Sequence, residues 1–212
     1  MIKSSYPGKF IVLEGLDGSG KSAQVDLVIK FLQDSGKEVV VTKEPTMDSE
    51  AGRKIKQVLR KEIIVEPLEL QKLYVQDRRE HLQNKVIPAL KAGKYVVSSR
   101  YAFSTFAYGY SSGLDVKLLV DLNKEFLLPD LTIIVDVDPE SCIKRIESRG
   151  EPKEFFEELG KLTKVNEIYK KTPQMFPALG GSASGGEIVL VDGRKSISEV
   201  FENIKKVIEK KI

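Results

Sequence analysis

The chain carries a single cysteine, Cys142, in 212 residues. No internal disulfide can form, and a reducing, cytoplasmic setting is expected. A surplus of one charge sign is also lacking. Lys and Arg number 34 against 31 Asp and Glu, a net of +3. That is too little for a global field that draws nucleic acid or a membrane surface, so neither is expected as a partner. No apolar run approaches the ~18 residues of a membrane span, and the N-terminus has no signal-peptide core. There is no Asn-Lys-x-Asp motif, which a GTPase needs to read guanine, and there is only one histidine, His81.

What is present is alternation. Short apolar runs at 9–15, 37–45, 94–100, 130–138 and 186–192 read as buried strands. Longer amphipathic segments at 21–36, 50–61, 67–93, 101–110, 115–128, 139–150, 152–171 and 196–211 read as helices between and after them. Pro88 is expected to kink or restart the long helix that begins at Pro67. Strands separated by helices imply right-handed crossovers and a five-stranded parallel sheet with helices on both faces. No repeat and no second domain is visible, so residues 1–212 are read as one α/β domain. The glycine- and serine-rich stretch at 180–186 reads as a flexible loop.

The first strand runs into G-L-D-G-S-G-K-S, Gly15 to Ser22. The pattern is G-x-x-x-x-G-K-[ST], with a buried strand before it and a helix after it. Glycines let the backbone turn its N–H groups inward around phosphates, and the helix N-terminus adds partial positive charge. Lys21 meets the phosphate to be transferred, and the Ser22 hydroxyl can ligate Mg²⁺. The motif implies a bound nucleoside triphosphate and leaves the acceptor open.

Three further segments bear on the acceptor. Tyr74 and Arg78 lie one turn apart, so a ring and a guanidinium share a face and suit a planar base. A core tyrosine beside a surface arginine would give the same letters. Arg100 follows a buried strand, where parallel sheets bind ligands, and Ser104, Thr105 and Tyr108 follow on one helix side. Arg145 and Arg149 precede a Gly-Glu-Pro break and look like a basic flap.

Taken in order, these segments resemble the thymidylate kinase family. The residues that carry the likeness are Glu14 to Ser22, Glu44-Pro45, Tyr74 with Arg78, Ser99 through Tyr108, Pro129 to Thr132, and the stretch DVDPESCIKRIESRG. The resemblance implies a three-layer P-loop NTPase-type fold with a short lid at about 145–157. It also implies ATP-dependent phosphorylation of dTMP with Mg²⁺, and a homodimer. It assigns Lys21, Arg100, Arg149 and Asp17 to catalysis. ATP falls to Gly15, Leu16, Asp17, Gly18, Ser19, Gly20, Lys21, Ser22, Arg145 and Arg194. The acceptor falls to Asp17, Tyr74, Arg78, Arg100, Ser104, Thr105 and Tyr108, with Ser22 as the metal ligand. Gly18 stands where some members carry a catalytic arginine, which directs that role to the lid, to Arg149 first and to Arg145 and Lys153 after it. His81 is read as structural, because an anionic phosphate acceptor needs no imidazole base.

Two departures stand out. The family's Asp before the strand-end Arg is here Ser99, which carries no charge; Asp17 or Glu14 is expected to compensate, and Asp136 only resembles a metal-binding aspartate by pattern. The Arg that the family places in the helix after Glu44-Pro45 is here Lys56, which loses the fork geometry. The alternatives are a kinase for another pyrimidine nucleotide, a catalytically weak nucleotide-binding protein, or an ATP-binding regulatory switch.

Overall fold

The computed structural model describes residues 1–150, 152, 154–175 and 186–212. Lys153 and all but Gly186 of the glycine- and serine-rich stretch lie outside the described residues. At the centre is β2 (Lys9–Gly15), whose residues Phe10 to Leu13 are fully buried. An unbroken apolar run is what a parallel strand covered on both faces requires. Beside it lie β4 (Tyr95–Ser99) and β6 (Leu131–Asp136), with β3 (Val39–Lys43) and β7 (Glu187–Asp192) at the edges. All pairings are parallel, in the order β3-β4-β2-β6-β7.

The chain steps in one direction from β2 to β3 and in the other at every later crossover. Right-handed connections therefore place α1 (Lys21–Asp34) on one face and the later crossover helices on the opposite face. On the first face α1 packs against α9 (Ile197–Lys211), where the Gln24 amide donates to the Ile197 carbonyl at 3.0 Å. On the second face α5 (Ala102–Ser111) packs on α8 (Leu159–Met175). The change of direction occurs around β2, and a crevice opens beyond the carboxyl ends of β2, β4 and β3.

The long helix bears out the reading of Pro88 and shows how the change is made. α3 (Pro67–His81) passes into a π-helical turn at Leu82–Val86 before α4 (Ile87–Lys91). Proline has no N–H to give and its ring crowds the preceding turn, so the ladder widens. Ile87 N–H bonds to the Leu82 carbonyl, five residues back.

Two helical expectations fail. The segment 115–128 is helical only over α6 (Val116–Asn123). Leu127–Leu128 is instead a short strand, β5, paired with β1 (Ile2–Lys3). The Asn123 side chain folds back onto the Leu119 carbonyl at 2.8 Å, and Phe126 N–H caps onto the Asn123 carbonyl. The helix expected over 152–171 begins only at Leu159, after α7 (Pro139–Glu147) and a non-helical stretch. Phe155 N–H there bonds to the Leu59 carbonyl at the end of α2 (Glu50–Leu59), and Phe156 is buried. Tertiary contacts draw this segment out of the helix.

Candidate active site

The loop between β2 and α1 holds Gly15 to Ser22 together, as the pattern requires. Gly15, Gly18 and Gly20 have φ of 147°, 82° and 84°, a region that suits glycine alone. At Gly18 there is a second reason. A Cβ there would lie 2.5 Å from the Cys142 carbonyl oxygen, because α7 packs directly on the loop. No side chain fits there without a shift of α7. Arg145 on α7 reaches over the loop and donates to the Gly18 carbonyl at 3.4 Å.

The loop borders a cavity of about 730 Å³. Asp17, Lys21, Ser22, Tyr74, Arg78, Arg100, Ser104, Thr105, Tyr108 and Arg149 all line it. Gly15, Leu16, Gly18, Ser19, Gly20 and Arg145 are not among its lining residues. Arg194 is apart from it, exposed and forked onto Asp192 at 2.8 Å by two nitrogens. Cys142 is buried in the α7 contact and its thiol is pushed up to about 12, by burial first.

Arg100 is built into place by backbone. Its φ is 70°, a left-handed conformation that costs a non-glycine residue on the order of 1 kcal/mol. Its N–H bonds to the Leu13 carbonyl, and Ser98 Oγ donates to the Arg100 carbonyl at 2.8 Å. The turn continues into α5, whose first N–H groups are met by Glu14. Tyr101 N–H and Ser104 N–H donate to Glu14 Oε1 at 2.8 and 3.1 Å, and Ser104 Oγ and Tyr169 donate to Oε2 at 2.6 and 3.0 Å. Burial raises the Glu14 carboxyl above its usual range, against the charge of Arg100 and these bonds. Glu14 is thus held by α5 and by Tyr169 of α8, and it is not among the residues that line the cavity.

Asp17 does face the cavity. The Arg100 guanidinium pairs with it, and the Tyr108 hydroxyl donates to it at 2.9 Å. Burial acts to raise its carboxyl, but the charges of Arg100 and Lys21 outweigh that and hold it below the usual carboxylate range. Lys21 is lowered to about 8, by burial first and then by Arg100, with Asp17 and Glu14 opposing.

Around Tyr74 and Arg78 the prominent feature is a buried polar chain. Arg78 is 1% exposed. Its Nε and Nη2 donate to Glu44 Oε2 at 2.9 and 2.7 Å, Nη2 also reaches Thr105 at 3.0 Å, and Nη1 donates to Asn123. Four of its five N–H groups are spent, which leaves one Nη1 N–H for a ligand. Glu44 also meets His81 Nδ1 at 3.0 Å, and His81 Nε2 meets Thr42 at 2.6 Å. His81 is therefore structural, as expected. The residue before Arg78, Asp77, accepts from Thr46 N–H at 2.8 Å and from the Thr46 and Ser49 hydroxyls, and so pins the loop between β3 and α2.

The flap meets the cavity from the far side. Phe156 packs edge-on to Tyr108 with ring centres 4.9 Å apart. Lys56 pairs with Glu154 at 2.5 Å, and Arg149 pairs with Glu157 at 3.7 Å. Sequence reasoning missed Lys43, Arg60, Phe156, Glu154 and Glu157 as cavity residues. Only Glu44 among the buried partners had a local signal, its place before proline at a strand end.

A parallel sheet, a phosphate loop and a facing cavity rich in cations define a P-loop phosphotransferase of the nucleoside monophosphate kinase class. The thymidylate kinase family model matches residues 13–204. The chain is 36% identical over 202 residues to a probable thymidylate kinase of Pyrococcus horikoshii, covering 93% of this chain and 94% of the relative. It is 35% identical over 208 residues to a thymidylate kinase of Carboxydothermus hydrogenoformans, covering 95% and 97%. It is 38% identical over 167 residues to a thymidylate kinase of Desulfotalea psychrophila, covering 78% and 82%. The chain belongs to the thymidylate kinase family.

Proposed function

We propose that residues 1–212 act as one catalytic unit that transfers the γ-phosphoryl group of ATP to dTMP, giving ADP and dTDP. The observation that carries this reading is the single cavity wall shared by the loop lysine Lys21, the phosphate-facing Arg100 and the base-sized pair Tyr74 and Arg78. An oxygen of the acceptor's phosphate, already anionic, attacks the γ-phosphorus. The bond to the bridging oxygen breaks, and the negative charge passes to ADP. No general base is needed.

The protein's part is positioning and charge neutralisation. The loop N–H groups and Lys21 hold the donor phosphates. Arg100 lies between donor and acceptor, kept there by Asp17 and the strained turn. Arg149, on a flap opposite the loop, supplies the guanidinium that Gly18 has no room for. Tyr74 stacks on the base, and Arg78 and Thr105 hydrogen-bond its edge. Tyr108 fills the space beside the sugar, where it acts against a 2′-hydroxyl. Among the described residues no cluster of three His, Cys, Asp or Glu could bind a metal by itself. The Ser22 hydroxyl, at the head of α1 in the cavity wall, fits Mg²⁺, which is held mainly by phosphates and water. Bound there, the ion would offset phosphate charge. A homodimer and a cytoplasmic setting belong to the same reading, supported by the family likeness and the lone, buried thiol.

A coupled assay of ADP release with ATP and a panel of nucleoside monophosphates tests the proposal. dTMP is expected to give the highest kcat/KM. Equal or faster turnover of AMP or CMP would overturn the substrate.

A further inference from the structure

Five cations that line the large cavity already face a carboxylate: Lys56 with Glu154, Arg60 with Glu62, Arg78 with Glu44, Arg100 with Asp17 and Arg149 with Glu157. Two others, Lys21 and Lys43, have no carboxylate within ion-pair distance among the described residues. Lys21 belongs to the phosphate loop. Lys43 has no role in the account above.

Lys43 ends β3, and its register neighbour on β4 is Ser99, which in turn neighbours Leu13 of β2. It therefore sits at the carboxyl ends of adjacent parallel strands, where such sheets bind ligands. A second cavity of about 420 Å³ adjoins the first, and Ser22, Lys43, Met47 and Ser99 line both. Lys43 is thus part of the wall between them, beside the hydroxyl at the head of α1. Its strand neighbour is an uncharged serine; Asp26 and Asp48 also line the second cavity, but neither forms an ion pair with the ammonium, and Lys43 is exposed and so reachable by a ligand in the crevice.

We infer that Lys43 binds a nucleotide phosphate at the transfer point, as a second cation without an ion pair among the described residues, working with Lys21. The inference rests on the kinase reading of the site. An ammonium is a compact charge with three rotatable donors, which suits a phosphate oxygen better than a base edge. Two phosphates meet there: the monophosphate of the acceptor and the terminal phosphate of the donor. Either can be the source of the contact.

Calorimetric titration of the purified chain separates them. Lys43→Met and Lys43→Arg are compared with the parent chain for dTMP against thymidine, and for ATP against ADP. Loss of the contact should weaken binding by ~10-fold or more, the scale of a charge-assisted hydrogen bond. A loss for dTMP with thymidine unchanged assigns the acceptor phosphate. A larger loss for ATP than for ADP assigns the donor's terminal phosphate. Lys43→Arg should retain most of the affinity in either case. Ratios within twofold of the parent for both ligand pairs would overturn the inference while leaving the kinase reading intact. Failure of the parent chain itself to bind dTMP and ATP would instead overturn the kinase reading, and this inference with it. Lys43 makes no ion pair among the described residues, so the melting temperature should not move; Lys43→Gln serves as a second variant if the first destabilises the fold.

Discussion

The acceptor pocket and the flap use the same chemical pair, arginine with glutamate, in opposite ways. In the pocket the Arg78 and Glu44 side chains are 1% and 3% exposed, and the guanidinium makes four hydrogen bonds. In the flap the Arg149 side chain is 48% exposed and lies 3.7 Å from Glu157. The first arginine is fixed before any ligand arrives. The second is loosely held, by a carboxylate that a phosphate can replace. Recognition of a rigid base favours a prebuilt surface, whereas charge that moves during transfer favours a group that can follow it.

The sharpest way to break this contrast is at the flap. Arg149→Ala should lower kcat by ~10³-fold or more if it meets the transferring phosphoryl group, with little change in dTMP affinity. A loss under tenfold in a steady-state assay would remove it from that role. In the pocket the corresponding cut should fall on stability. Glu44→Ala strands a buried guanidinium and should cost about 3–5 kcal/mol in denaturant unfolding. Arg149→Ala should leave stability within about 0.5 kcal/mol, as exposed pairs do.

A proton-linked effect sharpens the donor side. The Lys21 ammonium is lowered to about 8 in the free chain. A bound triphosphate favours the charged form and raises that value. ATP binding above pH 8 should therefore take up a proton, and its Kd should rise with pH by up to about tenfold per unit. Calorimetry at pH 9 in two buffers of different ionisation enthalpy measures this, and Lys21→Met should abolish it. The smallest effect belongs to the stacking ring. Tyr74→Leu should weaken dTMP by roughly 0.5–1.5 kcal/mol, read by equilibrium binding.

The parts of the site carried by local pattern were legible in the sequence. The loop, its flanking strand and helix, and the i,i+4 spacing of Tyr74 and Arg78 all depend on neighbours within a few residues. The position of Arg100 followed from its place at a strand end. The departures came from long-range contacts. Nothing near Phe155 in sequence shows that its N–H bonds to Leu59, 96 residues earlier, so the helix expected there was placed too early. The strand at Leu127–Leu128 exists because residues 2 and 3 pair with it. The same limit hid the partners of Arg78, which come from the turn after β3, from α5 and from α6, and the use of Glu14 as a cap for α5. At Gly18 the sequence shows the glycine, and the structure adds that the Cys142 carbonyl leaves no room there for a side chain.

Backbone hydrogen exchange of the free chain, compared with the chain saturated by dTMP and ADP, tests the central contrast most directly. The account predicts that peptides from α3 and α5 are already protected in the free chain and change little. Peptides covering 145–150 and 154–158 should gain protection on binding. A gain in α3 and α5 as large as that in the flap, or no gain in the flap, would contradict it.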